Sequence, residues 1–280
     1  MNRALRNSKH RQTATPANPF SAFGRYRSLT WELTQRDVLG RYRGASFGLV
    51  WSLLSPFMML GIYTVAFGYI LKSRWPGANG GTGEFALILF LGLVCHGFFA
   101  EVLTRSPNLV VANSNLVKRI IFPLDILPWT VVLSATFHTL MNLVVYAVLS
   151  FALLGRLPWT VVFLPFVLAP LAILAAGVSW LLSAAGVFLR DVGQMIGVVV
   201  TAMLFLSSAI IPVETLPTSY QKIFHLNPLT FVIDQARDVA YWGRMPDWEG
   251  VALYAALSLL VCFGGFLTFQ VVRKGFADVL

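Results

Sequence analysis

A chain of 280 residues that is 57% hydrophobic and only 12% charged is not an ordinary soluble domain, in which about a quarter of residues are charged. Its mean hydropathy of +0.71 points to several membrane spans, each needing about 20 apolar residues to cross the hydrocarbon core. The net charge of +9 is gathered before the first span and in short loops, which fits a cytoplasmic flank beside anionic lipid headgroups rather than nucleic acid.

Residues 1–27 are polar, basic and punctuated by Thr15-Pro16-Ala17-Asn18-Pro19, which predicts a flexible cytoplasmic N-terminus. They hold no apolar stretch of the kind a cleavable signal peptide needs, so the first span is expected to direct insertion. Over 28–43 a helix is expected, with Trp31, Val38 and Tyr42 on one stripe and Glu32, Arg36 and Arg43 opposite, suited to lying along the membrane interface. A plain juxtamembrane tail is the alternative. Apolar spans follow at about 45–71, 85–104, 127–154 and 160–188, and a fifth continues from Arg190-Asp191 to about Ile211. Residues 212–249 are too polar to cross, yet Ile223-Phe224, Leu226 and Leu229-Thr230-Phe231-Val232-Ile233 predict one or two short helices at the outer surface, interfacial or re-entrant. A sixth span covers about 250–271, and 273–280 forms a cytoplasmic C-terminus. The fold class is read as an all-α membrane protein: six transmembrane helices over 44–272, an N-terminal interfacial amphipathic helix, and short outer re-entrant helices between the fifth and sixth spans. With alternate loops assigned inward, fifteen basic residues fall inside and six outside. That bias puts both termini in the cytoplasm and makes the number of spans even.

Chemistry-bearing patterns are sparse. The phosphate-cradling spacing GxxxxGK[S/T] is absent, so any nucleotide would be bound by another subunit. His10, His96, His138 and His225 are scattered, and Cys95 and Cys262 both lie in apolar spans, where buried free thiols are expected. The chain is therefore read as non-enzymatic, with no cofactor and no metal of its own. Polar groups within spans are the remaining candidates, because each charge there is expensive to insert. Glu101 and Arg105, one turn apart at the inner mouth, either pair with each other or contact a cation or substrate. His96, His138 and Asn142 are expected to make interhelical hydrogen bonds. Trp75, Trp129, Trp159, Trp242 and Trp248 fall near span ends, as an aromatic belt would, although a sugar pathway lined by aromatic rings is also physically reasonable.

Four stretches carry a family resemblance. They are Arg41-Tyr42-Arg43-Gly44 running into Leu49-Val50-Trp51-Ser52-Leu53-Leu54-Ser55-Pro56, then Leu116-Val117-Lys118-Arg119-Ile120-Ile121-Phe122-Pro123-Leu124-Asp125, then Phe188-Leu189-Arg190-Asp191-Val192, and finally Ile211-Pro212-Val213 with Leu226-Asn227-Pro228-Leu229-Thr230. Taken together, over about residues 30–235, the chain resembles the permease subunit of ABC-2 type transporters, in the branch that exports O-antigen, capsular polysaccharide or teichoic acid. Asp125 departs from the pattern, since that position more often carries a longer acidic or basic side chain.

The resemblance implies a homodimer that recruits two copies of a separate ATPase, which binds the ATP and Mg, and moves a lipid-linked polysaccharide among membrane lipids. It implies that Lys118, Arg119, Asp125 and Glu32 couple to the ATPase, and that Pro212, Asn227 and Pro228 belong to an outer gate. Arg36, Arg41 and Arg43 suit a substrate pyrophosphate or lipid headgroup, because guanidinium forks match phosphate oxygens. They equally suit topology and bulk lipid alone. An ABC-2 exporter of a drug or lipid, and a nucleotide-independent scramblase or channel, are the alternative readings.

Overall fold

The computed structural model describes residues 18–70, 74–78, 81–117 and 122–280, and every described regular element is helical. Two helices precede the spans: α1, Pro19–Arg25, and α2, Arg27–Tyr42. The long apolar helices are α3 (Trp51–Tyr63, continued in π-helical geometry over Thr64–Ile70), α4 (Thr82–Arg105), α5 (Leu127–Leu154), α6 (Leu164–Phe188) and, after three shorter ones, α10 (Trp248–Val272). The shorter helices are α7 (Val192–Phe205), α8 (Thr218–Leu226) and α9 (Pro228–Arg237). Counting the turns that extend them, five helices of 20 to 31 residues are long and apolar enough to cross a membrane.

α4 is the axis of the bundle. Its most apolar window is 72% buried within the chain, whereas that of α3 is 6% buried. α4 packs on α5, α6, α7 and α9, while α6 pairs along its length with α10. Lipid tails offer no hydrophobic force between helices, so close approach relies on small residues. A Cβ at Gly177 would stand 2.6 Å from Cys262 Cα, and one at Gly265 would stand 2.1 Å from Gly177 O. Beside this contact Trp180 meets Trp129 and Phe266 edge-on, with centroids 5.6 and 5.4 Å away.

Residues 18–26, expected to be flexible, are folded. Asn18 and Ser21 form a reciprocal capping box on α1, with Ser21 N donating to Asn18 Oδ1 at 2.7 Å. Phe20 and Phe23 pack on Trp129, whose Nε1 donates to Pro19 O at 3.1 Å. Trp129 and Trp75 are therefore core residues rather than belt residues, while Trp159 and Trp248 are exposed. On α2 the buried stripe is Thr30, Thr34 and Val38, and Trp31 is 58% exposed, which corrects the expected face. Threonine serves on a packed face because its hydroxyl returns to the backbone one turn earlier: Thr30 to Tyr26 O at 3.0 Å and Thr34 to Thr30 O at 2.8 Å.

The fifth apolar segment also departs from expectation. Its helix stops at Phe205 instead of about Ile211, giving 14 residues, or about 21 Å at 1.5 Å per residue. The chain then runs irregularly through Ser207, Ser208 and Ala209, all buried. Two side chains from α9 and its cap hold this break. Asn227 accepts from Leu229 N at 3.0 Å to start α9, and its Nδ2 donates to Met203 O and Leu206 O at 2.9 and 3.0 Å to finish α7. Arg237, 2% exposed, donates through Nη1 to Ser208 O at 2.6 Å, through Nη2 to Ala209 O at 3.0 Å and through Nε to Ile88 O of α4 at 3.0 Å. Gly92 makes the room, since a Cβ there would lie 2.6 Å from Arg237 Nη2 and 2.7 Å from Ala209 O.

Two stability measurements test this packing. Gly177→Leu is expected to cost about 1–3 kcal/mol or more by overpacking, while Gly264→Leu, where a Cβ meets nothing within 4 Å, leaves thermal unfolding unchanged. Equal melting of the two variants would contradict the α6–α10 contact. Arg237→Met is expected to cost on the order of 3 kcal/mol, because buried carbonyls lose their donor. Arg237→Lys falls between, since one ammonium cannot serve three carbonyls in a plane. A methionine variant as stable as the parent would show that Arg237 does not hold the break.

Candidate functional site

At the α2 end of the bundle, three helices bring their charges together. Asp37 and Arg41 follow Thr30 and Thr34 on the packed stripe of α2, which aims them at α4 and α5. Arg41 Nη2 lies 2.5 Å from Glu101 Oε1, and Arg105 Nη2 lies 2.6 Å from Asp37 Oδ1. Within α4, Arg105 Nη1 also reaches Glu101 Oε1 at 3.2 Å. The expected intrahelical pair of Glu101 and Arg105 is thus present, but as one edge of a larger network. From α5, His138 Nδ1 stands 3.1 Å from Arg41 Nη1 and 3.2 Å from both oxygens of Glu101. Arg41 can only donate, so a neutral Nδ1 accepts from it, whereas a protonated Nδ1 donates to Glu101. Each bond excludes the other, so the ring's proton decides which helix His138 favours. Asp37 Oδ2 and His138 Nε2 are buried without a hydrogen-bond partner in the described structure.

Two hollows flank the network. A polar cavity of about 680 Å3 opens between α2 and the turn after α4, lined by Arg36, Asp37, Arg41, Arg105, Asn113 and Asn115. It gathers Arg36 and Arg41 of the anticipated headgroup set with Arg105, while Arg43, the exposed C-cap of α2, is not on its wall. On the other side a groove of about 530 Å3 runs beside α3 into the span region, lined by Tyr42, Trp51, Ser55, Tyr63, His96 and Asn142 among others. His96 Nε2 lies 3.1 Å from Val200 O of α7, and so, like His138, makes an interhelical contact.

The anticipated coupling residues are described only in part. Lys118 and Arg119 lie outside the described residues. Glu32 is exposed on α2, away from the charged network. Asp125 is 1% exposed and ties the start of α5 to the end of α10, through Gln270 Nε2 at 3.0 Å and Arg273 Nη1 at 2.7 Å. Its backbone oxygen accepts from Trp180 Nε1 at 3.2 Å. At the α9 end, Asn227 and Pro228 start α9, and Pro212 opens the turn that follows the α7 break, its carbonyl accepting from Thr215 Oγ1 at 2.7 Å.

Asp37 and Arg237 were missed as site residues. A signal existed for the second: Leu229, Val232, Ile233, Ala236 and Arg237 follow i, i+3, i+4, i+7, i+8 spacing, which puts the arginine on the buried stripe. A further pattern, Gly44-Ala45-Ser46-Phe47-Gly48, matches the GxSxG spacing of a nucleophile elbow. Here it forms the exposed turn between α2 and α3 rather than a strand-to-helix elbow. Among the described residues no group of three or more His, Cys, Asp or Glu could hold a metal, and Cys95 and Cys262 are buried free thiols.

Comparison with known proteins agrees with a helical membrane bundle of this kind. Residues 28–241 match the ABC-2 type transporter family. The O-antigen export system permease protein RfbA of Myxococcus xanthus is 25% identical over 256 residues, covering 90% of this chain and 95% of the relative. A Klebsiella pneumoniae protein of the same name is 24% identical over 250 residues, with coverage of 89% and 93%. The polysialic acid transport protein KpsM of Escherichia coli is 24% identical over 240 residues, with coverage of 84% and 90%. The chain belongs to the ABC-2 type transporter family, as a multi-pass membrane permease.

Proposed function

We propose that this permease is the transmembrane half of an ATP-driven exporter of lipid-linked polysaccharide, O-antigen in the first place and capsular polysaccharide in the second. The observation that carries this reading is the groove beside α3. Histidine, asparagine, serine and aromatic side chains face it at the level of otherwise apolar spans. Polar groups at that depth belong on a wet or protein-covered path. α3 buries little within its own chain, and Phe57, Met58, Met59 and Ile62 are exposed. A second copy applied there closes the groove into a path between two protomers. The names of the RfbA and KpsM relatives, O-antigen export and polysialic acid transport, support a glycan cargo.

In this reading α7 with the break beyond it is the fifth of six crossings, α2 lies at the cytoplasmic interface, and α8 and α9 are re-entrant from the outer side. Both termini are cytoplasmic in the inner membrane, as the distribution of basic residues favours. Two ATPase subunits bind ATP and Mg and press on α2, through the side that carries Glu32, and on the loop that carries Lys118, Arg119 and Asp125. Motion of α2 passes through Asp37–Arg105 and Arg41–Glu101 into α4. From Glu101 to Ile88 that helix spans 13 residues, or about 20 Å, ending at the carbonyl that Arg237 holds. Arg36 and Arg41 receive the pyrophosphate of the lipid carrier at the inner cavity.

Deletion of the gene in its native host tests the reading. Surface polysaccharide is expected to disappear while lipid-linked glycan accumulates inside, and the intact gene restores export. Glu101→Gln and the double variant Lys118→Glu/Arg119→Glu are expected to restore less than about a tenth of it at equal protein level, the effect of removing about 1.4 kcal/mol from one coupling step. Unchanged surface polysaccharide after deletion contradicts the reading, and full rescue by both variants contradicts the coupling route.

A further inference from the structure

A second cavity, of about 250 Å3, lies at the α9 end between the Trp75–Gly77 turn and the π-helical turn Asp238–Trp242. Its walls combine three kinds of group. The indole of Trp242 forms one side, packed against the turn so closely that a Cβ at Gly77 would touch its ring at 3.5 Å. The carboxylates of Glu214, Asp234 and Asp238 form another. The Arg244 guanidinium, 70% exposed on its side chain, stands 3.6 Å from Asp238 Oδ1 and 5.6 Å from the Trp242 ring centre. Trp75 and Arg237 make the floor, with the guanidinium 4.1 Å above the Trp75 ring.

The size and the charge each narrow the occupant. Drug-sized molecules take pockets of about 300–1,000 Å3, so this cavity suits a single small ring. Three carboxylates face two guanidinium groups, and Arg237 is already engaged by backbone carbonyls. The field therefore disfavours phosphate and any acidic group. Asp234 and Asp238 each face one guanidinium, at 3.7 Å from Arg237 and 3.6 Å from Arg244, and a carboxylate accepts at both oxygens, so hydroxyl donors add to these pairs rather than compete with them. A pyranose supplies what is missing: a C–H face for the indole, several hydroxyls for the carboxylates, and ring and hydroxyl oxygens for Arg244.

We propose that this cavity is a subsite for one sugar residue of the passing glycan, selective for neutral over acidic sugars. This rests on the glycan-export reading and deepens it, because it assigns the cargo to neutral glycans. The π-helical turn is what builds the subsite. It brings Asp238 and Trp242 to one rim, and Gly243, at φ +72°, turns the chain so that Arg244 folds back with its amide on Asp238 O at 2.8 Å.

Saturation-transfer difference NMR on the full chain in lipid nanodiscs tests it, with galactotriose, mannotriose and trigalacturonate as probes and sorbitol as control. Transfer is expected from at least one neutral trisaccharide, at about fivefold the level from trigalacturonate, the scale of one unit-charge repulsion at contact in water. Trp242→Ala removes it, and the rim variant Glu214→Gln/Asp238→Asn, which leaves one carboxylate facing two guanidinium groups, raises the acidic probe to at least the level of the neutral ones. Trp248→Ala, outside the cavity, leaves it intact. If Trp242→Ala fails to fold, the rim variant alone decides. No transfer from any trisaccharide, transfer equal to sorbitol, or the same neutral-to-acidic ratio in the rim variant overturns the proposal. Surface polysaccharide in the gene-deleted host separates the two levels. If it is lost while the NMR result is negative, only the subsite falls. If it is unchanged while sugar binds, the export reading falls and the site stands.

Discussion

In a bilayer a backbone carbonyl that leaves a helix has no water to turn to, so every irregular stretch at that depth must be given donors by the protein itself. The stretch after α7 meets this demand with two side chains. Asn227 closes the end of α7, and the buried guanidinium of Arg237 gathers Ser208, Ala209 and Ile88. Much of the α9 end follows from that solution. Gly92 must lack a side chain, Trp75 must be buried beneath the guanidinium, and α9 must sit against the start of α4.

The two ends of α4 are held by interactions of different strength, and the difference bears on how the molecule moves. At the α2 end the ion pairs are partly open to solvent, and such pairs are worth about 1 kcal/mol or less each. They can exchange partners, and His138 offers a ready alternative for both Arg41 and Glu101. At the α9 end the donors are buried, and breaking them leaves bare carbonyls at ~1–3 kcal/mol each. A push on α2 is therefore expected to rearrange the charged contacts and shift α4 as a rod, while the Arg237 cluster travels intact with the α9 segment. In the proposed export cycle a path along α3 would then open without unfolding its outer end.

The long apolar helices were legible because about 20 consecutive apolar residues have few other uses. The end of α7 was not, since its composition stays apolar past Phe205 and the helix is stopped by donors that lie 21 to 29 residues further along. The face of α2 was misread for a chemical reason: threonine counts as polar, yet Thr30 and Thr34 satisfy themselves and pack, leaving Trp31 outside. Glu101 stood out as a charge in a span. Its partners on other helices did not, because Arg41 and His138 lie 60 and 37 residues away and no local spacing pairs them. Arg237 was readable from the stripe it shares with Leu229 and Val232, but a count of loop charges hides it.

The proposed function requires that this chain move lipid-linked polysaccharide only when a separate ATPase drives it. Co-reconstitution of the purified permease with its ATPase in proteoliposomes tests that claim directly. The lipid-linked glycan is loaded on the ATPase side, and its arrival in the opposite leaflet is followed with an impermeant lectin. Translocation is expected only with both subunits and hydrolysable ATP. Equal translocation by the permease alone, or none with ATP and both subunits present, would contradict it.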